Sequence, residues 1–137
     1  MIVVDTTVWI DFFNGAHSPE HLHLQDLIRQ DRSLALTDLI FCEILQGIRD
    51  DTVYARTRRI LLAYPILRMD TLSVFEQSAN IYRTCRRKGV TVRKTVDCLI
   101  AAVCLTNQVE LFHKDADFTG IARVIPLRIH TVPTLPS

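Results

Sequence analysis

The chain lacks several features that would settle its class at once. Its four cysteines, Cys42, Cys85, Cys98 and Cys104, form no Cys-x-x-Cys pair, so they read as reduced thiols of a cytoplasmic protein. No Cys/His cluster has zinc-ligand spacing. No apolar run reaches the ~20 residues of a membrane span; charges break stretches such as Val96 to Leu105. The start, Met1-Ile2-Val3-Val4-Asp5, has no basic region or cleavage site, so no secretory leader is expected. Linkers, repeats and low-complexity tracts are absent. No Gly-x-x-x-x-Gly-Lys occurs, which removes phosphate-loop nucleotidases. Net charge is also scarce: 16 basic and 15 acidic residues leave only +1, a balance that at first sight argues against a nucleic-acid partner.

What is present fills one domain. A chain of 137 residues, 48% hydrophobic, buries roughly 68% of its unfolded surface and needs no disulfide or metal to hold a core. One domain over residues 1–132 is expected, followed by a short Pro-containing tail at 133–137. The bland charge conceals three unlike segments. Residues 1–51 carry −6, residues 52–94 carry +8 and residues 95–137 carry −1. That asymmetry, rather than the total, needs a physical reason.

Short apolar runs alternate with helical patterns. Strands are expected at Ile2 to Val4, Leu34 to Leu36, Ile66 to Met69, Glu110 to Phe112 and, fifth, Leu127 to Ile129. Ser18-Pro19-Glu20 reads as a helix start, with Leu22, Leu24, Leu27 and Ile28 facing inward. Asp38 or Thr37 caps a helix to about Gly47, and Thr52 to Ala63 forms another. Thr71 to Lys88 is a long helix with Leu72, Phe75, Ala79 and Tyr82 inward and Gly89 as its stop. Thr95 caps a helix over Val96 to Thr106. Strands alternating with helices imply an α/β fold with a parallel sheet. In such folds the chemistry lies beyond the carboxyl ends of the strands.

Acidic residues fall at those places. Asp5 directly follows the first strand, and Asp115 and Asp117 follow the fourth. Glu43 and Asp97 sit on helices among apolar neighbours, where a carboxylate is costly unless it meets a cation or donors. Carboxylates converging on one cleft repel, and a hard divalent ion such as Mg²⁺ or Mn²⁺ removes that repulsion. Such an ion polarises a phosphate oxygen and activates water for in-line attack, leaving a 5′-phosphate and a 3′-hydroxyl. Each acid also has a plain structural role open to it. Asp5 can cap a helix begun by Thr6-Thr7-Val8-Trp9-Ile10. Asp97 can serve the dipole of its helix, Glu43 can pair with Arg49, and Asp115 and Asp117 can be turn acids. The joint pattern outweighs the separate roles.

Four segments in order, Asp5-Thr6-Thr7-Val8-Trp9-Ile10-Asp11, Glu43-Ile44-Leu45-Gln46-Gly47-Ile48-Arg49, Asp97-Cys98-Leu99-Ile100-Ala101-Ala102 and Lys114-Asp115-Ala116-Asp117-Phe118, resemble the motifs of PIN-domain ribonucleases. Length and motif order resemble the VapC toxins of toxin–antitoxin pairs, over residues 2 to 130. The resemblance implies a three-layer α/β/α sandwich around a parallel sheet of about five strands. It also implies a Mg²⁺- or Mn²⁺-dependent endoribonuclease that inhibits translation, a homodimer, and a cognate VapB-type antitoxin that blocks the site. Asp5, Glu43, Asp97 and Asp115 are the expected catalytic metal ligands. Asp117 is a further candidate, and Thr6 is expected to hydrogen-bond a ligand. Many relatives carry Thr or Ser where this chain has His113, which leaves the choice between Asp115 and Asp117 open. Asp115 is favoured as nearer the strand.

Arg83, Arg86, Arg87, Lys88, Arg93 and Lys94 occur within twelve residues with no acid between them. Arg86, Arg87, Lys88, Arg93 and Lys94 are expected to meet RNA phosphates, although bases near a helix end also favour the macrodipole. His21 and His23, two apart, make a poor metal pair and are expected to face solvent. Cys98 and Cys104 read as core, as do Trp9, Phe12 and Phe13 in preference to a base-stacking platform. Leu39, Ile60 and Leu61 are candidates for a groove that takes an antitoxin helix. An aspartate-nucleophile phosphatase fails because its second Asp is replaced by Thr7. A non-catalytic RNA- or partner-binding PIN-like module is the remaining rival, and metal binding with RNA cleavage separates the two.

Overall fold

The computed structural model describes residues 1–134; Leu135, Pro136 and Ser137 of the expected tail lie outside the described residues. Ile2, Val3 and Val4 form β1 (Ile2–Val4) and are all buried. A strand covered on both faces must be apolar on both, which is why these triplets show no alternation. β2 (Leu34–Thr37) is buried along its length in the same way. With β3 (Ile66–Leu67) and β4 (Glu110–Phe112) they form a sheet of order β3-β2-β1-β4. Every pairing in it is parallel, with Ile2 opposite both Leu34 and Glu110, and Leu36 opposite Ile66.

Among the described residues the sheet has four strands where about five were expected. Leu127 to Ile129 gives only an isolated parallel bridge between Ile129 and Leu111. Two backbone hydrogen bonds of 2.8 Å hold it, from Leu111 N–H to Arg128 O and from His130 N–H to Leu111 O. Pro126 before it and Pro133 after it have no N–H to offer, so the ladder stops there.

Seven helices among the described residues cover the sheet: α1 (Thr6–Asn14), α2 (Pro19–Arg29), α3 (Asp38–Gln46), α4 (Asp51–Leu61), α5 (Leu72–Arg87), α6 (Thr95–Asn107) and α7 (Ala116–Val124). Five of them begin at a side-chain cap. Asp5, Ser18, Thr37, Asp50 and Asp115 accept the backbone N–H of Thr7, His21, Ile40, Val53 and Asp117. α1 packs on α2 and α3, and α3 on α4, while α5, α6 and α7 pack together. The result is the three-layer α/β/α arrangement. α6 is apolar almost all round and is buried from Ile100 to Cys104, as a helix central to its layer must be.

Several expected facings are corrected. α5 turns Val74, Ser78, Ile81 and Cys85 inward, while Leu72, Phe75, Ala79 and Tyr82 are exposed, Leu72 at 82%. Both sets have helical spacing, and packing against α6 and α7 selects between them. Leu22 is exposed for the same reason, one position out of phase with buried His21 and Leu24. Thr95 is the first residue of α6, with Lys94 in the capping position but making no side-chain cap. Leu61 is fully buried and cannot line an open groove, whereas Ile60 is exposed. His21 is buried, its Nδ1 accepting the His17 N–H at 2.9 Å. His23 reaches His130 with 2.8 Å between the two Nε2 atoms. Trp9 is enclosed by Phe12, Phe13 and Tyr64 with no exposed surface, so it is core and no stacking platform. Cys98 and Cys104 are buried free thiols, as expected.

Candidate active site

Because β1 and β4 are parallel neighbours, the chain leaves both at the same edge of the sheet. That edge receives Asp5 from β1 and the loop His113 to Asp115 from β4. Asp97 joins them from the first turn of α6, buried to 2% exposure. Asp97, Asp115 and Asp117 each bring one carboxylate oxygen within 4.8 Å of the others. Asp5 and Glu43 lie outside that group of three, yet the same charges couple them to it. Asp5 acts on Asp97 and Glu43, and Asp115 acts on both as well.

Each carboxylate but one is held by named donors. Thr7 gives Asp5 Oδ2 both its hydroxyl at 2.7 Å and its backbone N–H at 3.2 Å. The Thr7 hydroxyl in turn accepts the Lys114 N–H at 3.1 Å, tying the loop after β4 to α1. Thr6 donates its hydroxyl to Glu43 Oε1 at 2.9 Å, the contact to a ligand candidate expected of it, and Glu43 does not take up the alternative pairing with Arg49. Asp115 accepts the Asp117 N–H at 2.9 Å and Lys94 Nζ at 3.1 Å. Asp117 accepts the Arg93 N–H at 3.3 Å and Arg93 Nε at 3.2 Å. Thus Arg93 and Lys94, expected at RNA phosphates, turn their charges onto the acids. Arg86, Arg87 and Lys88 remain on the exposed end of α5 and beyond it, with the Arg86 guanidinium over the Tyr82 ring.

Asp97 is the exception. Its Oδ2 is buried without a hydrogen-bond partner among the described residues, and Lys94 Nζ lies 4.0 Å from it. Burial first, and then the charges of Asp115, Asp5 and Asp117 against the relief from Lys94, push its carboxyl up to about 7. Burial also raises Asp5 and Glu43, against the hydrogen bonds from Thr7 and Thr6 respectively. Asp115 goes the other way: burial would raise it, but the Asp117 N–H and Lys94 outweigh that and hold it below the ordinary range. Asp5 and Asp115 cap α1 and α7, and Asp97 lies in the first turn of α6. Three carboxylates therefore share the positive ends of three helices, which offsets part of their repulsion.

The donor set consists of carboxylate oxygens, with no thiol or imidazole in the group of three. Such a set fits a hard divalent cation. The unpartnered Asp97 oxygen is the position most in need of one. Sequence reasoning missed Thr7 and the anchoring loop. Only the Thr-Thr pair beside Asp5 was visible in advance. Of the two roles open to His113, a substrate contact or a structural one at the strand end, the structural one is seen: its Nδ1 accepts the Asp115 N–H at 3.0 Å at the turn into α7.

A family model described as PIN domain matches residues 2–124. The chain is 36% identical over 129 residues to Ribonuclease VapC11 of Mycobacterium tuberculosis, covering 93% of this chain and 96% of that one. It has the same identity and coverage with VapC ribonuclease Mb1587 of Mycobacterium bovis. In fold it resembles VapBC2 of Rickettsia felis, solved bound to a DNA fragment from its promoter, with TM-score 0.74 and 16% identity over 95% of this chain and 98% of that one.

Proposed function

The chain belongs to the PIN-domain family, among VapC-type ribonucleases, and from this membership we propose that it is an endoribonuclease toxin that hydrolyses RNA phosphodiester bonds. One observation carries the proposal for this chain's own residues. Asp97, Asp115 and Asp117 converge at the carboxyl edge of a parallel sheet, with Asp5 and Glu43 beside them and one buried oxygen unpartnered. A structural cluster of acids would be expected to satisfy that oxygen.

Asp5, Glu43, Asp97 and Asp115 are the proposed ligands of a Mg²⁺ or Mn²⁺ ion, with Asp117, although in the close group, the less direct member because both its oxygens already accept from Arg93. When bound, the ion supplies a Lewis acid for the phosphate and lowers the pKa of water. The protein's own part is positioning. Thr7 fixes Asp5, Thr6 fixes Glu43 and Arg93 fixes Asp117, so the carboxylates are preorganised. The helix N-termini beneath them favour an approaching phosphate. Arg86, Arg87 and Lys88 are exposed at and just beyond the end of α5, and neutralising them is expected to lower the salt slope of RNA binding. A VapB-type antitoxin is the proposed partner, and association with a second copy of the chain is proposed with it.

The test is cleavage of RNA with Mg²⁺ or Mn²⁺ and with chelator. Wild type should cut only with the ion. Asp5→Asn and Asp97→Asn should not cut although folded by circular dichroism. Undiminished cleavage by both variants refutes the assignment. So does metal-independent cleavage by wild type.

A further inference from the structure

We infer that Lys94 is a tethered cation that holds the carboxylate cleft together when no divalent ion is bound, and that it sets how readily such an ion enters. This rests on the metal-dependent reading above.

Lys94 sits at the capping position of α6 but makes no side-chain cap there. Its ammonium instead reaches the acids, 3.1 Å from Asp115 Oδ2 and 4.0 Å from Asp97 Oδ2. The Asp97 side chain is 3% exposed and that oxygen has no hydrogen bond among the described residues, so the ammonium is the compensation the fold supplies. One positive charge against this group of acids is partial compensation. A divalent ion offers more charge and more bonds to the same oxygens. The two cations cannot share these carboxylates without repelling each other.

Anchorage distinguishes Lys94 from its neighbour. Arg93 holds Asp117 through both its backbone N–H and its guanidinium. Both side chains are largely exposed, Arg93 at 70% and Lys94 at 52%, but Lys94 holds Asp115 by its ammonium alone. An entering ion can therefore turn the Lys94 ammonium out to solvent with no loss of backbone structure. A displaced ammonium at the rim is then free to meet a phosphate.

The experiment measures ion binding directly, in the full chain, without RNA. Wild type, Lys94→Met, Lys94→Gln and Lys94→Arg are titrated with Mn²⁺ by calorimetry, with free Mn²⁺ followed by electron paramagnetic resonance. Loss of a full charge a few ångströms from the ligands should tighten Mn²⁺ binding about tenfold in the two neutral variants. Their metal-free forms should melt lower than wild type, and Mn²⁺ should raise their melting temperatures by more. Lys94→Arg should bind within a few-fold of wild type. If wild type binds Mn²⁺ and the neutral variants bind no tighter, or if Lys94→Arg tightens as they do, the inference about Lys94 fails alone. If none of the four proteins binds Mn²⁺, the metal-dependent reading fails and the inference with it.

Discussion

Replacing Asp97 with asparagine should stabilise the metal-free protein while removing its activity. The Asp97 carboxyl is pushed from 3.8 up to about 7 by burial among other acids. In the unfolded chain it ionises near 3.8, and in the fold it keeps its proton to about 7. The folded state is therefore penalised by an amount that begins near pH 4, grows to pH 7 and stays constant above. A shift of about three units at ~1.4 kcal/mol each sets a ceiling of about 4 kcal/mol. Neighbouring carboxylates share the proton, which spreads the penalty and brings the expected gain to about 1–3 kcal/mol. The amide keeps the shape of the side chain and abolishes its charge. For a domain of this size the gain corresponds to a melting temperature higher by about 4–10 °C. The assay is thermal unfolding with chelator from pH 4 to pH 8, wild type against Asp97→Asn. The gain should be full at pH 8 and mostly gone by pH 4. Saturating Mg²⁺ should narrow the gap at pH 8, because the ion stabilises the ionised wild type by mass action. A gain independent of pH, or none at pH 8, would refute the reasoning.

Other outcomes follow from single contacts. Thr6→Val removes the 2.9 Å hydrogen bond to Glu43; RNA cleavage should fall about tenfold or more, while the melting temperature changes by only a few degrees. Trp9 is wholly buried and its Nε1 has no partner among the described residues. Trp9→Ala should therefore cost about 3–5 kcal/mol in denaturant unfolding, and Trp9→Phe far less, because it keeps most of the buried ring while removing the orphaned N–H. His23 and His130 meet almost coplanar, head to head, with 2.8 Å between Nε2 atoms, an arrangement with room for one shared proton. Burial and then the His130 charge lower the His23 pKa from 6.5. The stability from this group is thus full above pH 6.5 and lost as pH falls below it. His23→Phe should flatten that acid limb in melts between pH 7.5 and pH 5; parallel loss in both proteins would contradict it.

The sequence was most legible where one residue type has one physical use. Ile2 to Val4 read as a buried strand and Ser18-Pro19 as a helix start, and the structure has both. The first four strands were found within a residue or two. The expected inward face of α5 was wrong because Leu72, Phe75 and Tyr82 repeat as regularly as Val74, Ile81 and Cys85. Periodicity identifies an amphipathic helix, but a helix with two apolar stripes is oriented only by what packs against it. α7 went unread because Asp115 was weighed as a metal ligand or a turn acid and not as a cap, and one residue type serves all three uses.

The same division holds at the cleft. The order of the acids and their places after parallel strands are properties of the chain, and they determined that carboxylates would gather at one edge of the sheet. Which of them meet closely was decided by the tertiary structure. Asp97, Asp115 and Asp117 come within 4.8 Å, while Asp5 and Glu43 lie outside that group and take the hydroxyls of Thr7 and Thr6. The sequence also placed a segment of +8 between acidic segments, but only folding sorted its charges. Arg93 and Lys94 turn onto the acids, while Arg86, Arg87 and Lys88 stay at the surface. The physical reason is range. Capping, periodicity and strand burial act over a few residues and are written locally, whereas the partner of a charge about 20 residues away is set by how helices cross the sheet.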